Sequence, residues 1–309
     1  MNTQNKNIVA IDIAKSSLQI QTEKKAFCVT NDSTGLKRLH LLIKKLDHPY
    51  VVCEASGGYE RLLVRTLHQW AVPVSVVNPA MVRAFAKSEG IKAKTDPIDA
   101  RILLKFGQTK ELRQTPCPDP HIEELAALMD RRTQLSDSLA REKNRLDKEP
   151  IYTRKWIEQT IEFISQQIQE LELRIEEILT MNERLSKRVT RMTELKGVGK
   201  TTAYTILAYL PDLETMTRGQ LVSLVGLAPY NKESGKTKSK AHIHGGRAKI
   251  RKCLFMAAQS AAQHNEVIHQ YVSNLIKAGQ PKKSALVAAM RKILICLRSL
   301  LKNPNFSLA

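Results

Sequence analysis

The sequence predicts an α/β domain built on a mixed sheet, followed by an all-α region, and three observations carry that reading. Within the first 77 residues, apolar runs of strand length come first in close succession and then alternate with segments of helical period. From residue 157 onward, apolar residues recur at spacings of four and three, the mark of long packed helices. From residue 196 onward the chain carries 18 basic against 4 acidic residues, many of them on helical segments.

Strand candidates at residues 7–12, 17–22 and 26–30 form a meander. Leu36, Leu39, Ile43 and Leu46 mark a helix, and Tyr50-Val51-Val52-Cys53 is a strand closing on Glu54. Residues 59–71 make a second helix and 72–77 a further strand, and Pro79 opens a third helix. This element order is that of the ribonuclease H-like arrangement, an inference from fold analogy. Asp12 ends the run Ile8-Val9-Ala10-Ile11 as Glu54 ends its own, so two neighbouring strands would deliver both carboxylates to one end of a sheet. In Lys94-Thr95-Asp96-Pro97-Ile98-Asp99-Ala100, Pro97 suits the first turn of a helix, and the spacing of three puts Asp96 and Asp99 on one face. Acids in such places often serve only as caps. Four of the nine acids among the first 110 residues occupy them, however. Because burying several carboxylates without a cation is costly, they point jointly to a Mg²⁺ or Mn²⁺ site for phosphoryl transfer.

After a linker with Pro116, Pro118 and Pro120, Leu125, Leu128, Leu135, Leu139 and Leu146 mark one long helix that Pro150 interrupts. A second run, from Ile157 through Ile161, Ile168, Ile175, Asn182 and Val189 to Met192, has heptad spacing. It predicts one helix of about 42 residues against about 28 for the first, with Asn182 the lone polar seam residue fixing register. The excess length would leave part of the stripe bare, which predicts subunit association. The expected domains are residues 1–115, a coiled-coil region at 120–193 and a C-terminal domain at 194–309.

The 309-residue chain has a formal net charge of +19 and 42% hydrophobic residues, sufficient for separate cores. Residues 1–110 hold 17 basic and 9 acidic residues, 111–195 hold 14 and 17, and 196–309 hold 18 and 4. Basic charge at both ends favours a polyanion, with nucleic acid first and a membrane surface second. No run of about 18 apolar residues is present, and the opening residues read as a strand rather than a signal peptide, so a cytoplasmic protein without a membrane anchor is expected. Cys28, Cys53, Cys117, Cys253 and Cys296 are scattered, with no Cys-x-x-Cys pair, which argues against a disulfide framework or zinc ribbon. They are expected as reduced, mainly buried thiols.

Leu195-Lys196-Gly197-Val198-Gly199-Lys200-Thr201-Thr202-Ala203 resembles a phosphate-binding Walker loop, but that motif needs Gly where this chain has Glu194. A turn with Gly197 and Gly199 between helices reads instead as a helix-hairpin-helix, whose amides with Lys200 can hold a DNA phosphate, or as a plain packing corner. Further on, Ser234-Gly235 lies among Lys236, Lys238, Lys240, Arg247, Lys249, Arg251 and Lys252, with Gly245-Gly246 before a basic helix. Ser-Gly is first a turn signal within a DNA-contacting loop; a serine there can also approach a phosphodiester and attack it, the cations stabilising the developing charge. His242 and His244 lack partners at zinc spacing and are assigned no metal.

Taken in order, IDIAK around Asp12, EASGGYE around Glu54, KTDPIDA, LKGVGKTTA, LVGLAPYNKESGK around Ser234 and IHGGRAKIRKCL resemble the DEDD transposases of bridge-RNA-guided bacterial insertion sequences, a family that includes the Piv-type DNA invertases. The resemblance runs over nearly the whole chain. It implies a RuvC-like domain in which Asp12, Glu54, Asp96 and Asp99 hold Mg²⁺, with Lys94 beside them on the nucleic acid. It also implies a dimerising coiled coil and a small transposase domain in which Ser234 becomes linked to a DNA 5′-phosphate. The partners it implies are double-stranded donor and target DNA, a noncoding bridge RNA, and a homodimer that assembles into a tetramer. Lys238-Ser239-Lys240 departs from the Arg-Gly-Lys string common in relatives and makes Ser239 a rival hydroxyl. A structure-specific nuclease using water and a non-enzymatic DNA-binding dimer are the competing expectations.

Overall fold

The computed structural model describes residues 6–91, 95–230, 233–234, 237–238 and 242–307; for Asp96 and for residues 230, 233–234, 237–238 and 242 the description is of backbone alone. The chain divides into two compact units, Met1–Pro118 and Asp119–Ala309.

In the first unit the elements follow the expected order. They are β1 (Asn7–Ile13), β2 (Ser17–Gln21), β3 (Ala26–Thr30), α1 (Ser33–Ile43), β4 (Pro49–Glu54), α2 (Arg61–Gln69), β5 (Val74–Val77), α3 (Pro79–Ser88) and α4 (Asp96–Thr109). The five strands form one mixed sheet in the order β3-β2-β1-β4-β5, with β1, β2 and β3 antiparallel and β4 and β5 parallel to β1. Because successive strand residues point to opposite faces, the sheet has two cores. Val9, Ile11, Val51 and Cys53 pack with Leu36, Leu39, Leu63 and Leu67 of α1 and α2. Ile8, Ala10, Tyr50 and Val52 pack with Val82 of α3 and with Ile102, Leu103 and Phe106 of α4.

The seating of α4 positions the acids. A β-carbon at Gly107 would lie 3.0 Å from Ile8 Cγ2 and from Val52 Cγ2, so the helix approaches β1 and β4 more closely than a larger residue would allow. At the same end, Gln108 donates to Glu23 Oε1 (2.7 Å), and Gly107, Gln108 and Lys110 share a cavity with Lys6 and Ile8. The C-terminal end of α4 therefore sits at the start of β1, and the helix runs back toward the strand's C-terminal end.

The second unit is helical: α5 (Pro120–Leu146), α6 (Ile151–Met181), α7 (Glu183–Thr193), α8 (Lys200–Tyr209), α9 (Arg218–Val225), α10 (Ala248–His264), α11 (Glu266–Lys277) and α12 (Lys282–Lys302). Four two-residue strands lie between α9 and α10: β6 (Pro229–Tyr230), β7 (Glu233–Ser234), β8 (Thr237–Lys238) and β9 (His242–Ile243). Its core joins Leu125 and Met129 of α5 and Ile175 and Ile178 of α6 to α7, α8, α9, α10 and α12.

The expected uninterrupted second helix is corrected. It breaks at Asn182, whose backbone leaves helical geometry (φ −124°, ψ 89°) and whose side chain accepts from Leu185 N–H at 3.0 Å. Asn182 is the N-cap of α7 rather than a register residue on a seam. Heptad spacing persists across the break because Leu185, Val189 and Met192 bury against the same core as Ile175 and Ile178. With 31 residues in α6 against 27 in α5, the argument from excess length also falls. The two pack as an intramolecular hairpin tied by Arg132–Glu172 (2.6 Å) and Arg174–Glu124 (2.6 Å). All five cysteines are free; Cys53 and Cys296 are buried, but Cys28 and Cys117 are exposed, against the expectation of mainly buried thiols. No helix among the described residues is long and apolar enough to cross a membrane.

Replacing Asn182 with Ala is expected to cost about 1 kcal/mol of stability through loss of the cap. Asn182→Leu, which would fill an apolar seam, should also lower the thermal midpoint; a rise on that substitution would favour the register role instead.

Candidate active site and nucleic-acid interface

Parallel pairing of β1 and β4 sets Ile11 opposite Cys53, so the next residues, Asp12 and Glu54, stand level at the ends of adjacent strands about 4.8 Å apart. By strand alternation both belong to the α4 face of the sheet, with Ile8, Ala10, Tyr50 and Val52. From Gly107 back to Asp99 the helix rises about 12 Å, and from Ile8 to Asp12 the strand advances about 13 Å. Asp99, in the first turn of α4 with Asp96, is thus about as far from Gly107 along the helix as Asp12 is from Ile8 along the strand. Asp12, Glu54 and Asp99 are each half-buried, and one Asp12 oxygen accepts from Ile13 N–H at 3.0 Å. Among the described residues no three His, Cys, Asp or Glu side chains converge to hold one ion. The side chain of Asp96 lies outside the described residues, as does Lys94 altogether.

Two supporting residues have no counterpart in the sequence reading. Glu60 closes the loop after Glu54: its Oε2 accepts from Ser56 N–H (3.0 Å), Ser56 Oγ (2.7 Å) and Gly58 N–H (2.8 Å). Burial pushes its pKa up, but these donors outweigh that and hold it below the ordinary 4.5. Asn31 joins the two acid-bearing loops, donating to Ala14 O after β1 (3.1 Å) and to Tyr59 O (3.2 Å). Glu60 could have been found as the second acid of EASGGYE, but no spacing or motif marks Asn31. Beneath the loop, burial, then the charges of Glu60 and Glu54, push the Cys53 thiol up to about 12, so it stays neutral.

In the second unit, β7 pairs with β8 so that Ser234 stands opposite Thr237 at the tip of a short hairpin. The outer pair β6 and β9 closes its base, with Pro229 opposite Ile243. That base is anchored by a backbone crossing. Gly226 (φ 78°) and Gly246 (φ 64°) lie against each other with no room for a β-carbon on either. Arg251 Nη1 donates to Val225 O (2.8 Å) and to Gly245 O. Arg251, expected on nucleic acid, thus has its guanidinium on the loop's own carbonyls. The side chains of Ser234 and Lys238 are beyond what is described, and Lys236 and Lys240 lie outside the described residues, as does Ser239.

Gly197 and Gly199 divide the two roles proposed for their turn. A β-carbon on Gly197 (φ 99°) would meet the Ala261 backbone at 2.5 Å, so this glycine is a packing corner against α10. Gly199 N-caps α8 without a side-chain cap, is exposed and faces open space, so its end of the helix is free to meet a phosphate. Lys200 pairs with Glu176 (2.9 Å), Lys252 with Asp137 (3.0 Å) and Lys249 with Asp130, while Arg247 is exposed at the start of α10. Exposed pairs of this kind contribute about 0–1 kcal/mol, little enough for a phosphate to replace the carboxylate.

Glu60→Gln is expected to lower thermal stability at neutral pH. A depressed carboxylate stabilises the fold fully above its ordinary value of 4.5 and loses that contribution as pH falls through the lower folded value. Melting curves of variant and parent should therefore converge in acid; a gap independent of pH would refute the assignment.

Comparison with known proteins places these features in a family. A model of the DEDD transposases of the IS110 type matches residues 9–149, and one described as the transposase IS116/IS110/IS902 family matches residues 189–273. The pilin gene-inverting proteins of Moraxella lacunata and Moraxella bovis are each 30% identical to this chain, with 94% of both chains covered. The chain belongs to the IS110-type transposase family, whose members are DNA-recombining enzymes.

Proposed function

We propose that this enzyme carries out strand exchange in two steps, with a ribonuclease H-like, RuvC-type domain at residues 1–115 preparing the phosphate that Ser234 attacks. The strand order β3-β2-β1-β4-β5, with acids ending β1 and β4 and opening α4, is the single observation that carries the reading. The oxygen-only donor set of Asp12, Glu54, Asp96 and Asp99 suits a hard divalent cation, Mg²⁺ or Mn²⁺, and these four residues would hold it. When bound, such an ion supplies Lewis-acid polarisation of a phosphoryl oxygen.

The serine supplies the covalent step. Ser234 Oγ bonds to phosphorus while the P–O3′ bond breaks, the serine proton is lost and the leaving 3′ oxygen gains one. The product is a 5′-phosphoserine ester and a 3′-hydroxyl, and attack by a second 3′-hydroxyl reverses the chemistry without external energy. Position at the tip of a small hairpin on a clamped base supports this role, because a short hairpin can reach a phosphate. In this reading double-stranded donor and target DNA lie on Lys94, Gly199, Lys200, Lys236, Lys238, Lys240, Arg247, Lys249 and Lys252, and a noncoding bridge RNA specifies the sites. The enzyme acts in the bacterial cytoplasm as a dimer within a tetramer. Exposed Tyr152 (85%), Trp156 (63%) and Phe163 (59%) on α6, in the region at 120–193, support subunit association in place of the length argument. The pilin gene-inverting relatives favour site-specific inversion as a second reading of the same chemistry.

Ser234→Ala is expected to abolish the covalent protein–DNA adduct and to lower strand exchange by on the order of a thousandfold or more. Asp12→Ala or chelation by EDTA should stop cleavage itself. Cleavage that persists in Ser234→Ala and leaves free 5′-phosphate ends would identify a water-using nuclease, and full exchange in EDTA would remove the metal. Placing the sites in inverted or separate arrangement on the substrate distinguishes inversion from transposition.

A further inference from the structure

In the second unit a cavity of about 420 Å³ opens between the start of α9, the outer faces of α11 and α12, and the C-terminal tail. Its rim carries Arg218, Arg291 and Lys292; its walls include Tyr271, Ile295 and Phe306. None of the three cations has an ion-pair partner among the described residues, although other cations of this unit, such as Lys200 and Lys252, do. Lys292 Nζ lies instead 4.5 Å from the centroid of the Tyr271 ring.

The walls are held before any ligand arrives. Arg298 Nε donates to Met216 O (2.5 Å), and Thr217 and Gln220 close a capping box at the entry to α9, fixing the turn that carries Arg218. Arg191 Nη2 donates to Pro304 O (2.6 Å) and also bonds Phe306 O, which pins the tail bearing the Phe306 ring. A rigid pocket of this volume accommodates a small flat group rather than a folded surface.

We infer that this cavity is a binding subsite for an unpaired nucleotide of a single-stranded nucleic acid, with its base on Tyr271 and the apolar wall and its flanking phosphates on Arg218, Arg291 and Lys292. Apolar and aromatic surface inside a cationic rim matches a flat base joined to a charged backbone. A duplex does not offer this combination, because its bases are stacked inside the helix. The strongly basic character of residues 196–309 makes an anion the fitting occupant. The inference does not depend on the roles assigned to Ser234 or to the acids.

Binding of the full-length protein to fluorescein-labelled oligo(dT), oligo(rU) and a mixed-sequence DNA duplex, measured by anisotropy across a salt series, tests it. Tyr271→Leu is expected to weaken single-strand binding by about tenfold. Arg291→Gln should reduce the single-strand salt slope by about 0.7, and both variants should leave duplex binding nearly unchanged. A larger effect on oligo(rU) identifies RNA as the source of the strand, and a larger effect on oligo(dT) a displaced DNA strand. Arg291 is exposed, so its variant keeps the test valid if Tyr271→Leu fails to fold. Photo-crosslinking of an iodouracil-substituted strand should label a peptide containing Tyr271 or Phe306. Equal weakening on duplex, no weakening on either single strand, or cross-links confined to other peptides would overturn the assignment.

Discussion

At Gly107 a β-carbon would come within 3.0 Å of both Ile8 Cγ2 and Val52 Cγ2, so the smallest side chain lets α4 lie directly on β1 and β4. That contact seats the C-terminal end of α4 on the sheet that carries Asp12 and Glu54. With a larger residue there, the Ile8 and Val52 side chains would have to give by a few tenths of an ångström. The strand register then does the rest, because a single slip would move Asp12 or Glu54 to the opposite face. The second unit uses the same device, with the Gly226–Gly246 crossing and the Arg251 clamp holding the base of the Ser234 hairpin.

Charge is distributed to match. Three acidic residues of α5 and α6 are partnered with cations of α8 and α10, Glu176 with Lys200, Asp130 with Lys249 and Asp137 with Lys252, so part of the basic surface is internally compensated but only weakly. Binding a polyanion would exchange carboxylates for phosphates rather than create contacts from nothing. In the first unit, loop closure by Glu60 and Asn31 shapes the backbone around the acids at the sheet end.

Most of the first unit was legible in the sequence because its signals are local. Continuous apolar runs ending on Asp12 and Glu54 produced strands at the expected places, and Pro97 marked the opening of α4. Sheet order and the seating of α4 were not local, and the seating involves Gly107, whose importance lies in what faces it. Asn182 misled for a related reason: heptad spacing records which side of a helix meets a core, and two helices separated by one capped turn can meet the same core in phase. Arg251 read as one more cation of a basic segment because composition does not distinguish a guanidinium facing solvent from one bonded to carbonyls.

The proposed function requires that α4 run back along β1 and bring its first turn to the ends of β1 and β4, so that one divalent ion could be held there. Iron(II) substituted for magnesium, with ascorbate and peroxide, generates hydroxyl radicals that cut the polypeptide close to the bound ion. Mass spectrometry of the fragments should find cuts clustered at residues 12–14, 54–56 and 95–99, abolished by excess Mg²⁺. Cuts at the strand ends without any at the start of α4, or cuts that Mg²⁺ does not suppress, would contradict it.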